Sequence, residues 1–247
     1  MTAHPATEAE RPVAFQADLA NLPDALAPLK ALPNWVCWKW EWKIDKRGVG
    51  KWTKPPYQPK HPRKYAKNND PSTWATYDEA LAVFTAGHCH GIGFGLLGTQ
   101  FAAFDLDKCR DAATGAIAAE AQAIVERATS YTEMTVSGTG LRVIGLGNGS
   151  EVHRKQKVPN SAVEVESYSN TARYIVISGN PLPGMWPHIA DISGVITAVV
   201  GELGGGAERV ADPEQPQLDC GSGEEQVIDL NKARRQRSPF YRTSCAP

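Results

Sequence analysis

Apolar and polar positions alternate in short stretches along this chain, and each stretch predicts one strand or helix. Seven stretches rich in β-branched and aromatic residues have the character of strands. They cover residues 35–44, 51–57, 91–97, 101–107, 141–146, 162–168 and 173–178. Four stretches predict helices, at 21–32, 72–84, 117–128 and 192–203. Because strands and helices do not alternate strictly, we expect an α+β fold with a mainly antiparallel sheet and flanking helices.

Turn and loop signals set the boundaries of these elements. Residues 45–48 predict the turn of a hairpin, and residues 60–70 predict a polar loop. Ser72 or Thr73 is expected to cap the helix that follows. Residues 1–17 predict a disordered leader, and the Gly, Glu and Pro content of residues 204–247 predicts a flexible tail. The expected domain therefore covers residues 18–203.

Composition excludes several classes of protein. The chain of 247 residues is 42% hydrophobic and 21% charged, which is enough to bury a core. It contains no apolar run long enough for a membrane helix, so we expect no membrane partner. Its five cysteines are scattered, and His88, Cys89, His90 and Cys109 do not have the spacing of a common zinc site. These features, with no secretory signal, predict a cytoplasmic protein.

Charge is unevenly distributed along the chain. Residues 39–67 contain ten Lys or Arg and two acids, whereas the chain as a whole has a net charge of −1. Tryptophans and tyrosines alternate with these cations, and flat rings beside positive charge suit single-stranded nucleic acid. The candidate contacts are Lys39, Lys43, Arg47 and Lys51. A solvated hairpin without a ligand is the alternative interpretation.

Asp105 and Asp107 are the first candidates for chemistry. They lie two residues apart in the strand predicted at 101–107, so both carboxylates point to the same face. Neighbouring carboxylates repel each other, and a divalent cation relieves that repulsion. The pair is therefore a candidate metal site, and a pair of solvated acids at a strand end is the alternative.

A second carboxylate pair lies in the strand predicted at 162–168. Glu164, Glu166 and Tyr168 share one face of this strand, and Val163 and Val165 share the other. A third acid beside the two aspartates would allow two Mg²⁺ or Mn²⁺ ions to bind between a triphosphate and an attacking hydroxyl. A polar outer face on an edge strand is the alternative.

A glycine-rich turn lies between the two acidic strands. Ser137, Gly138 and Thr139 can present hydroxyls and backbone N–H groups to phosphate, and Arg142 adds a charge-assisted contact. Arg173 is a second candidate for a phosphate or substrate contact. A plain connection between helix and strand is the alternative for the turn.

The order of these motifs is more specific than any one of them. The chain resembles the prim-pol domain of the archaeo-eukaryotic primase superfamily, in the form found in phage and plasmid replication proteins. The resemblance covers roughly residues 28–190. The matching segments are 32–38, 54–59, 70–80, 91–94, 104–107, 130–133, 137–141 and 173–179.

The resemblance implies a split RRM-like catalytic core with DNA primase and polymerase activity in DNA replication. It implies that Asp105, Asp107 and Glu166, with Glu164 as the alternate, hold Mg²⁺ or Mn²⁺. Its implied partners are a single-stranded or primed DNA template and a dNTP or NTP, with a replicative helicase as a further candidate. The expected nucleotide-binding residues are Ser137, Gly138, Thr139, Arg142, Arg173 and Lys54.

One position departs from the family pattern. The family often has a histidine against the triphosphate where this chain has Arg142. Arginine holds phosphate as well as histidine does, but it cannot titrate. Two other functions therefore stay open: a weakened module that binds nucleic acid or nucleotide without polymerising, and a metal-dependent nuclease.

Overall fold

A computed structural model describes residues 9–184 and 186–204, which form an α+β domain. The strands are β1 Trp35–Trp38, β2 Glu41–Ile44, β3 Gly50–Thr53, β4 Pro56–Gln58, β5 His61–Tyr65, β6 Gly91–Gly95, β7 Phe101–Asp107, β8 Thr132–Met134, β9 Leu141–Leu146, β10 Val152–Lys157, β11 Glu164–Ser169 and β12 Tyr174–Ile177. The helices are α1 Ala27–Lys30, α2 Tyr77–Thr85, α3 Ala119–Ala128 and α4 Ser193–Leu203. Single 3₁₀ turns lie at Leu19–Asn21, Asp24–Leu26 and Pro71–Thr73.

The strands form two five-stranded sheets and one separate hairpin. Sheet I has the order β12-β6-β1-β4-β5, and sheet II has the order β10-β11-β7-β9-β8. Every strand pair in both sheets is antiparallel. Within the described residues, the strands β2 and β3 pair only with each other. The predicted α+β class with antiparallel sheets is confirmed, and the RRM-like form of the core stays a prediction.

The two faces of β7 meet different layers of the domain. Phe104 and Leu106 are buried in an apolar cluster that includes residues of α3 and α4. Phe101 and Ala103 point the other way, into a cluster shared with Trp35 and other residues of sheet I. Sheet II therefore packs between the two helices and sheet I, and each layer buries one apolar face.

Asp105 and Asp107 continue the face of β7 that packs toward sheet I. Nearer the start of the strand, Phe101 lies 5.6 Å from Phe94 of sheet I, measured between ring centres, with an edge-to-face geometry. Such a pair contributes about 1 kcal/mol beyond the burial of its area. The apolar core thus ends where the acidic pair begins, which places both carboxylates at the border of the core.

The strand predicted at 35–44 is wrong in extent, because the chain forms β1 and β2 in different sheets. The break lies at Trp40, whose backbone N–H donates to His90 Nδ1 at 2.8 Å instead of to a strand partner. The returning strand predicted at 51–57 is also two strands, β3 and β4. Pro55 lies between them and has no N–H to donate to a sheet.

Other boundaries also differ from the prediction. The loop predicted at 60–70 contains β5, the edge strand of sheet I. The helix predicted from residue 72 begins at Tyr77, because Thr76 and Glu79 form a reciprocal capping box at its start. The helix predicted at 21–32 is only α1 and two 3₁₀ turns. β8 and β10 were not predicted, since one has three residues and the other is mostly polar.

The predicted domain boundaries, at residues 18 and 203, stay predictions. Within the predicted leader, the backbone N–H of Phe15 donates to Val136 O at 2.8 Å, and that of Ala17 donates to Ser178 O at 2.9 Å. Residues 1–8 and 205–247, which include nearly all of the predicted tail, lie outside the described residues. Among the helices of the described segments, none is long and apolar enough to span a bilayer.

Candidate active site

One row of charged residues crosses all five strands of sheet II. Its members face each other in register on neighbouring strands, from the edge strand β10 to the edge strand β8. In that order they are Lys155, Glu166, Asp105, Arg142 and Glu133. Directly opposed residues of an antiparallel pair point to the same face. The structure thus places Asp105 beside Glu166, a pairing that neither strand pattern shows by itself.

Asp107 and Glu164 form a second pair next to this row. They are opposed in register on β7 and β11, so Asp107 lies two residues along the strand from Asp105 on the same face. Four carboxylates therefore share a small area of sheet II. Their shared face is confirmed, and their roles in catalysis and metal binding stay predictions.

Asp105 has one oxygen bound by a cation and one without a partner. Arg142 Nη2 donates to Asp105 Oδ2 at 2.6 Å. The other oxygen, Oδ1, is buried and has no hydrogen-bond partner in the described part of the chain. A buried carboxylate oxygen without a partner is costly. An added cation at Oδ1 would remove that cost.

The surroundings of Asp107 disfavour the ionised form of its carboxyl group. Burial raises the pKa of its carboxyl group above the usual range, and the neighbouring charge of Asp105 raises it further. The charges of Lys155 and Arg142 act in the opposite direction but do not cancel the shift. Burial and the neighbouring carboxylates therefore disfavour the ionised form of Asp107.

Glu166 is held by residues of β10. His153 Nε2 lies 2.9 Å from Glu166 Oε1, and Lys155 Nζ lies 3.6 Å from Oε2. Burial acts to raise the pKa of Glu166, but hydrogen bonds from His153 and Tyr168 and the charge of Lys155 outweigh it and lower that pKa. The His153 ring stacks on Tyr168 with ring centres 5.4 Å apart.

Sequence reasoning missed His153 and Lys155 because it did not predict β10. The signal that could have found them is the alternation in this strand, in which His153, Lys155 and Lys157 share one face. That face meets the acidic face of β11, with Lys157 opposite Glu164. Opposite charges at matching spacing on two strands favour their pairing.

Glu164 is paired with two lysines. It forms an ion pair with Lys108 and lies 3.4 Å from Lys155 Nζ. The hydrogen bond from Lys108 lowers the pKa of Glu164, against a smaller opposing effect of burial. Glu164 is also the more exposed of the two glutamates. Glu166, which is opposed to Asp105, stays the predicted third acid, with Glu164 as the alternate.

The donor set fits a hard divalent cation. Among the described residues, no three His, Cys, Asp or Glu side chains stand in the arrangement of a metal site. The unpartnered Asp105 Oδ1 and the raised pKa of Asp107 nevertheless mark a place where a cation would be stabilised. Carboxylate oxygens are the ligands that Mg²⁺ and Mn²⁺ prefer.

Lys54 is another predicted nucleotide-binding residue whose charge interacts with these acids. It lies between β3 and β4, with Nζ 5.0 Å from the centre of the Trp40 ring. Burial lowers the pKa of Lys54 and the charge of Arg142 lowers it further, whereas Asp105 and Asp107 act to raise it. Its ammonium group is therefore poorly solvated and close to both aspartates.

The predicted phosphate turn joins β8 to β9 at the end of sheet II. Gly138 has a φ of +74°, which a residue with a side chain rarely adopts. The hydroxyls of Thr135, Ser137 and Thr139 form a chain with distances of 3.0 and 3.1 Å. Arg110, which sequence reasoning missed, donates from Nη1 to Gly138 O at 2.7 Å and holds the turn.

The other two predicted phosphate contacts lie in different settings. The Arg142 side chain is only 7% exposed, and its two terminal nitrogens already donate to Asp105 and to the carbonyl oxygen of Val176. Arg173 directly precedes β12 in sheet I, where its carbonyl oxygen accepts a hydrogen bond from Leu96 N at 2.9 Å. Contact of either residue with phosphate stays a prediction.

The hairpin of residues 41–53, named the basic hairpin below, has lysines on one face and tryptophans on the other. Lys43 lies opposite Lys51 on one face, and Trp42 lies opposite Trp52 on the other. Arg47 is at the turn, 3.3 Å from Asp45. Like charges opposed across two strands destabilise a hairpin. The lysine pair is therefore a candidate for binding an anion.

The fourth predicted cation, Lys39, does not belong to the basic hairpin. It follows β1 of sheet I, and its Nζ donates to Pro62 O at 2.7 Å. The same nitrogen lies 4.5 Å from the centre of the Tyr57 ring. Lys39 is thus tied to sheet I, while Lys43, Arg47 and Lys51 stay together as predicted.

The fold and site define an antiparallel α+β domain with an acidic cluster on one sheet and a separate basic hairpin. No protein family description matches the chain. The chain is 30% identical over 219 residues to a protein of Nitratiruptor phage NrS-1 named DNA primase-polymerase. The alignment covers 86% of this chain and 28% of the phage protein, so the chain spans about a quarter of that relative's length.

This similarity supports the predicted relationship to primase-polymerases. It extends over most of the chain and so over far more than the short motifs from which the resemblance was inferred. Membership of the archaeo-eukaryotic primase superfamily stays a prediction. The phage protein is much longer than the matched part, and its activity as a whole is attributed to this chain only as a proposal below.

Proposed function

We propose that this domain is a DNA primase-polymerase, which transfers nucleotidyl groups from dNTPs or NTPs to a strand copied from a DNA template. The observation that carries the proposal is that Asp105, Glu166 and Asp107 share one face of sheet II, where the charge of Lys54 interacts with both aspartates. The similarity to the phage DNA primase-polymerase supports it independently. Such a protein would act in the cytoplasm, and its replicative helicase partner stays a prediction.

Asp105, Asp107 and Glu166 are the proposed ligands for Mg²⁺ or Mn²⁺. When bound, two such ions supply charge neutralisation at the triphosphate and lower the pKa of the attacking 3′-hydroxyl. Asp105 offers its unpartnered Oδ1 for this purpose. Asp107 has a carboxyl group whose raised pKa would fall when a cation approaches. Glu166 is oriented by His153 through the 2.9 Å contact.

Lys54 and the turn of residues 137–139 are the proposed phosphate-binding groups. Lys54 carries its charge in a poorly solvated position, so an anionic phosphate beside it would restore the pKa that burial lowers. Ser137 and Thr139 offer hydroxyls, and the turn around Gly138 offers backbone N–H groups. The Tyr174 hydroxyl donates to Lys54 O and so fixes the backbone of that residue.

The basic hairpin is the proposed template-binding element. Lys43 and Lys51 form a paired cationic face that suits the phosphate backbone of single-stranded or primed DNA. Lys54 directly follows β3, so the proposed template-binding segment is continuous with a cation whose charge interacts with both aspartates. Binding of template and of nucleotide would thus order neighbouring parts of one segment.

Removing the lysine pair should weaken DNA binding without disturbing the active site. We expect the double substitution Lys43→Gln and Lys51→Gln to lower affinity for single-stranded DNA and to reduce the slope of log affinity against log salt by roughly 1 to 2. Fluorescence anisotropy with a labelled oligonucleotide at several salt concentrations measures both quantities. Lys30→Gln with Arg127→Gln removes the same charge from α1 and α3 and is the matched control. An unchanged slope in the hairpin variant would contradict the assignment.

An incorporation assay tests the proposed function. The full chain is incubated with labelled dNTPs or NTPs on templates with and without a primer, in Mg²⁺ or Mn²⁺. Extension of a primer, or synthesis without one, supports the proposal, and the labelled nucleotide that is incorporated identifies the product. Binding of template without any product would identify a binding module, and shortening of the labelled strand would identify a nuclease.

A further inference from the structure

Arg142 is placed to hold a carboxylate and not to reach solvent. Its Nη2 donates to Asp105 Oδ2 at 2.6 Å, and its Nη1 donates to the carbonyl oxygen of Val176. Asp105 belongs to sheet II and Val176 to sheet I. The guanidinium group therefore fixes Asp105 relative to both sheets at once.

Glu133 lies on the other side of Arg142 and is fully buried. The two residues are opposed in register on β8 and β9. The carboxylate of Glu133 accepts the backbone N–H of Ser178 at 2.9 Å and that of Gly179 at 3.1 Å, directly after β12. Its negative charge is among the causes that favour the charged form of Arg142. The Arg142 guanidinium group thus lies between two carboxyl groups. Burial raises the pKa of Glu133, while the backbone hydrogen bonds and the charge of Arg142 act to lower it.

We propose that Arg142 is a positioning residue for Asp105, which holds Oδ2 so that the unpartnered Oδ1 is presented to a divalent cation, with Glu133 as the counter-charge of Arg142. This inference rests on the proposed metal-dependent function. It gives Arg142 a different role from the phosphate contact predicted from the sequence. It adds Arg142 and Glu133 to the three proposed acids of the site.

Two features of the structure favour positioning over phosphate binding. The first is access, because a side chain that is 7% exposed and has both terminal nitrogens engaged must break two hydrogen bonds before it can bind phosphate. The second is that Lys54 already supplies a poorly solvated cation close to Asp105 and Asp107. A planar guanidinium also suits the position, since it donates in two fixed directions, which a lysine ammonium group does not.

The test separates cation affinity from nucleotide affinity. The full-length chain is prepared as wild type, Arg142→Lys, Glu133→Gln and Asp105→Asn, with Arg127→Lys as the matched control. Arg127 pairs with Glu202 at 2.8 Å between α3 and α4, away from the acidic face. Mn²⁺ binding is measured without nucleotide or DNA from the electron paramagnetic resonance signal of free Mn²⁺. Steady-state kcat and KM for dNTP are measured on a primed template.

We expect Arg142→Lys to weaken Mn²⁺ binding and lower kcat by roughly 10-fold to 100-fold, as is typical when a group that orients a metal ligand is lost. The KM for dNTP should change less than about 3-fold, because the phosphate contacts stay in place. Glu133→Gln should act in the same direction with a smaller effect. Arg127→Lys should match the wild type in both measurements.

Two results would overturn the proposal. One is a KM for dNTP raised 10-fold or more in Arg142→Lys with unchanged Mn²⁺ affinity, which would assign Arg142 to phosphate. The other is wild-type Mn²⁺ binding that does not differ from that of Asp105→Asn. If Arg142→Lys does not fold, Glu133→Gln takes its place in the test. Unchanged Mn²⁺ affinity and kcat in folded Glu133→Gln would then overturn the proposal. If the wild type binds Mn²⁺ through Asp105 but incorporates no nucleotide, the proposed function fails while the Mn²⁺ comparison still decides the role of Arg142.

Discussion

Asp107→Asn is expected to abolish nucleotide incorporation while leaving the protein at least as stable as the wild type. Loss of a metal-binding carboxylate should remove several kcal/mol of transition-state stabilisation, which corresponds to roughly a 1,000-fold fall in kcat. Stability should be retained because burial and the charge of Asp105 raise the pKa of Asp107 in the folded protein. An ionised group with a raised pKa destabilises the fold at neutral pH, and asparagine removes that charge.

The pH dependence of stability provides a check on this reason. In metal-free buffer at neutral pH, chemical denaturation should show Asp107→Asn to be equal to or more stable than the wild type. When an acid has a higher pKa in the folded protein than in the unfolded chain, the protein loses stability as the pH increases from the unfolded to the folded pKa. The difference between the two proteins should therefore shrink as the pH falls and the wild-type carboxyl group is protonated.

Glu126→Gln is the matched control for Asp107→Asn. Glu126 is an exposed acid of α3, where its carboxylate accepts a hydrogen bond from Gln122 at 2.8 Å. It lies on a helix that packs against the other face of sheet II, so the amide should leave incorporation unchanged. Wild-type incorporation by Asp107→Asn would show that the acidic pair does not carry the reaction.

Arg142→Met is expected to lower the free energy of unfolding by about 3 to 5 kcal/mol, because it leaves the buried charges of Asp105 and Glu133 without their cation. The Arg142 side chain is 7% exposed and that of Asp105 is 18% exposed, so water replaces the lost partner poorly. The carbonyl oxygen of Val176 also loses its hydrogen-bond donor. Chemical denaturation followed by tryptophan fluorescence measures this change.

A double-mutant cycle assigns this loss to the ion pair. Adding Asp105→Asn to Arg142→Met should restore part of the stability, because the second substitution removes a charge that the first left unpaired. Arg127→Met is the control, since its partner Glu202 is exposed and such surface pairs contribute little. Additive effects of Asp105→Asn and Arg142→Met would show that the two side chains do not stabilise each other.

The strands that carry the acids were predicted because their local pattern is strong. In β7, the apolar residues Phe104 and Leu106 alternate with Asp105 and Asp107, and this period of two determines which side chains share a face. The same holds for β11 around Glu166. The acidic face of each of these two strands could therefore be predicted before any tertiary contact was known.

Other features could not be predicted because they depend on contacts between distant segments. The break at Trp40 is one, since it arises from a hydrogen bond with His90, fifty residues further along the chain. The strand β10 is another, because its polar residues form a strand only where β11 offers them a partner. The placement of Lys54 near Asp105 and Asp107 likewise depends on the packing of two sheets.

Local periodicity and charge suffice to predict the α+β class, the acidic faces of two strands and the composition of the basic hairpin, because none of these requires a distant partner. The folded chain adds the register of Glu166 beside Asp105, the contacts of His153 and Lys155 with Glu166, and the burial of Arg142 between Asp105 and Glu133. The physical reason is that strand register and burial result from long-range pairing. The burial and the neighbouring charges that such pairing creates set the pKa of each charged group.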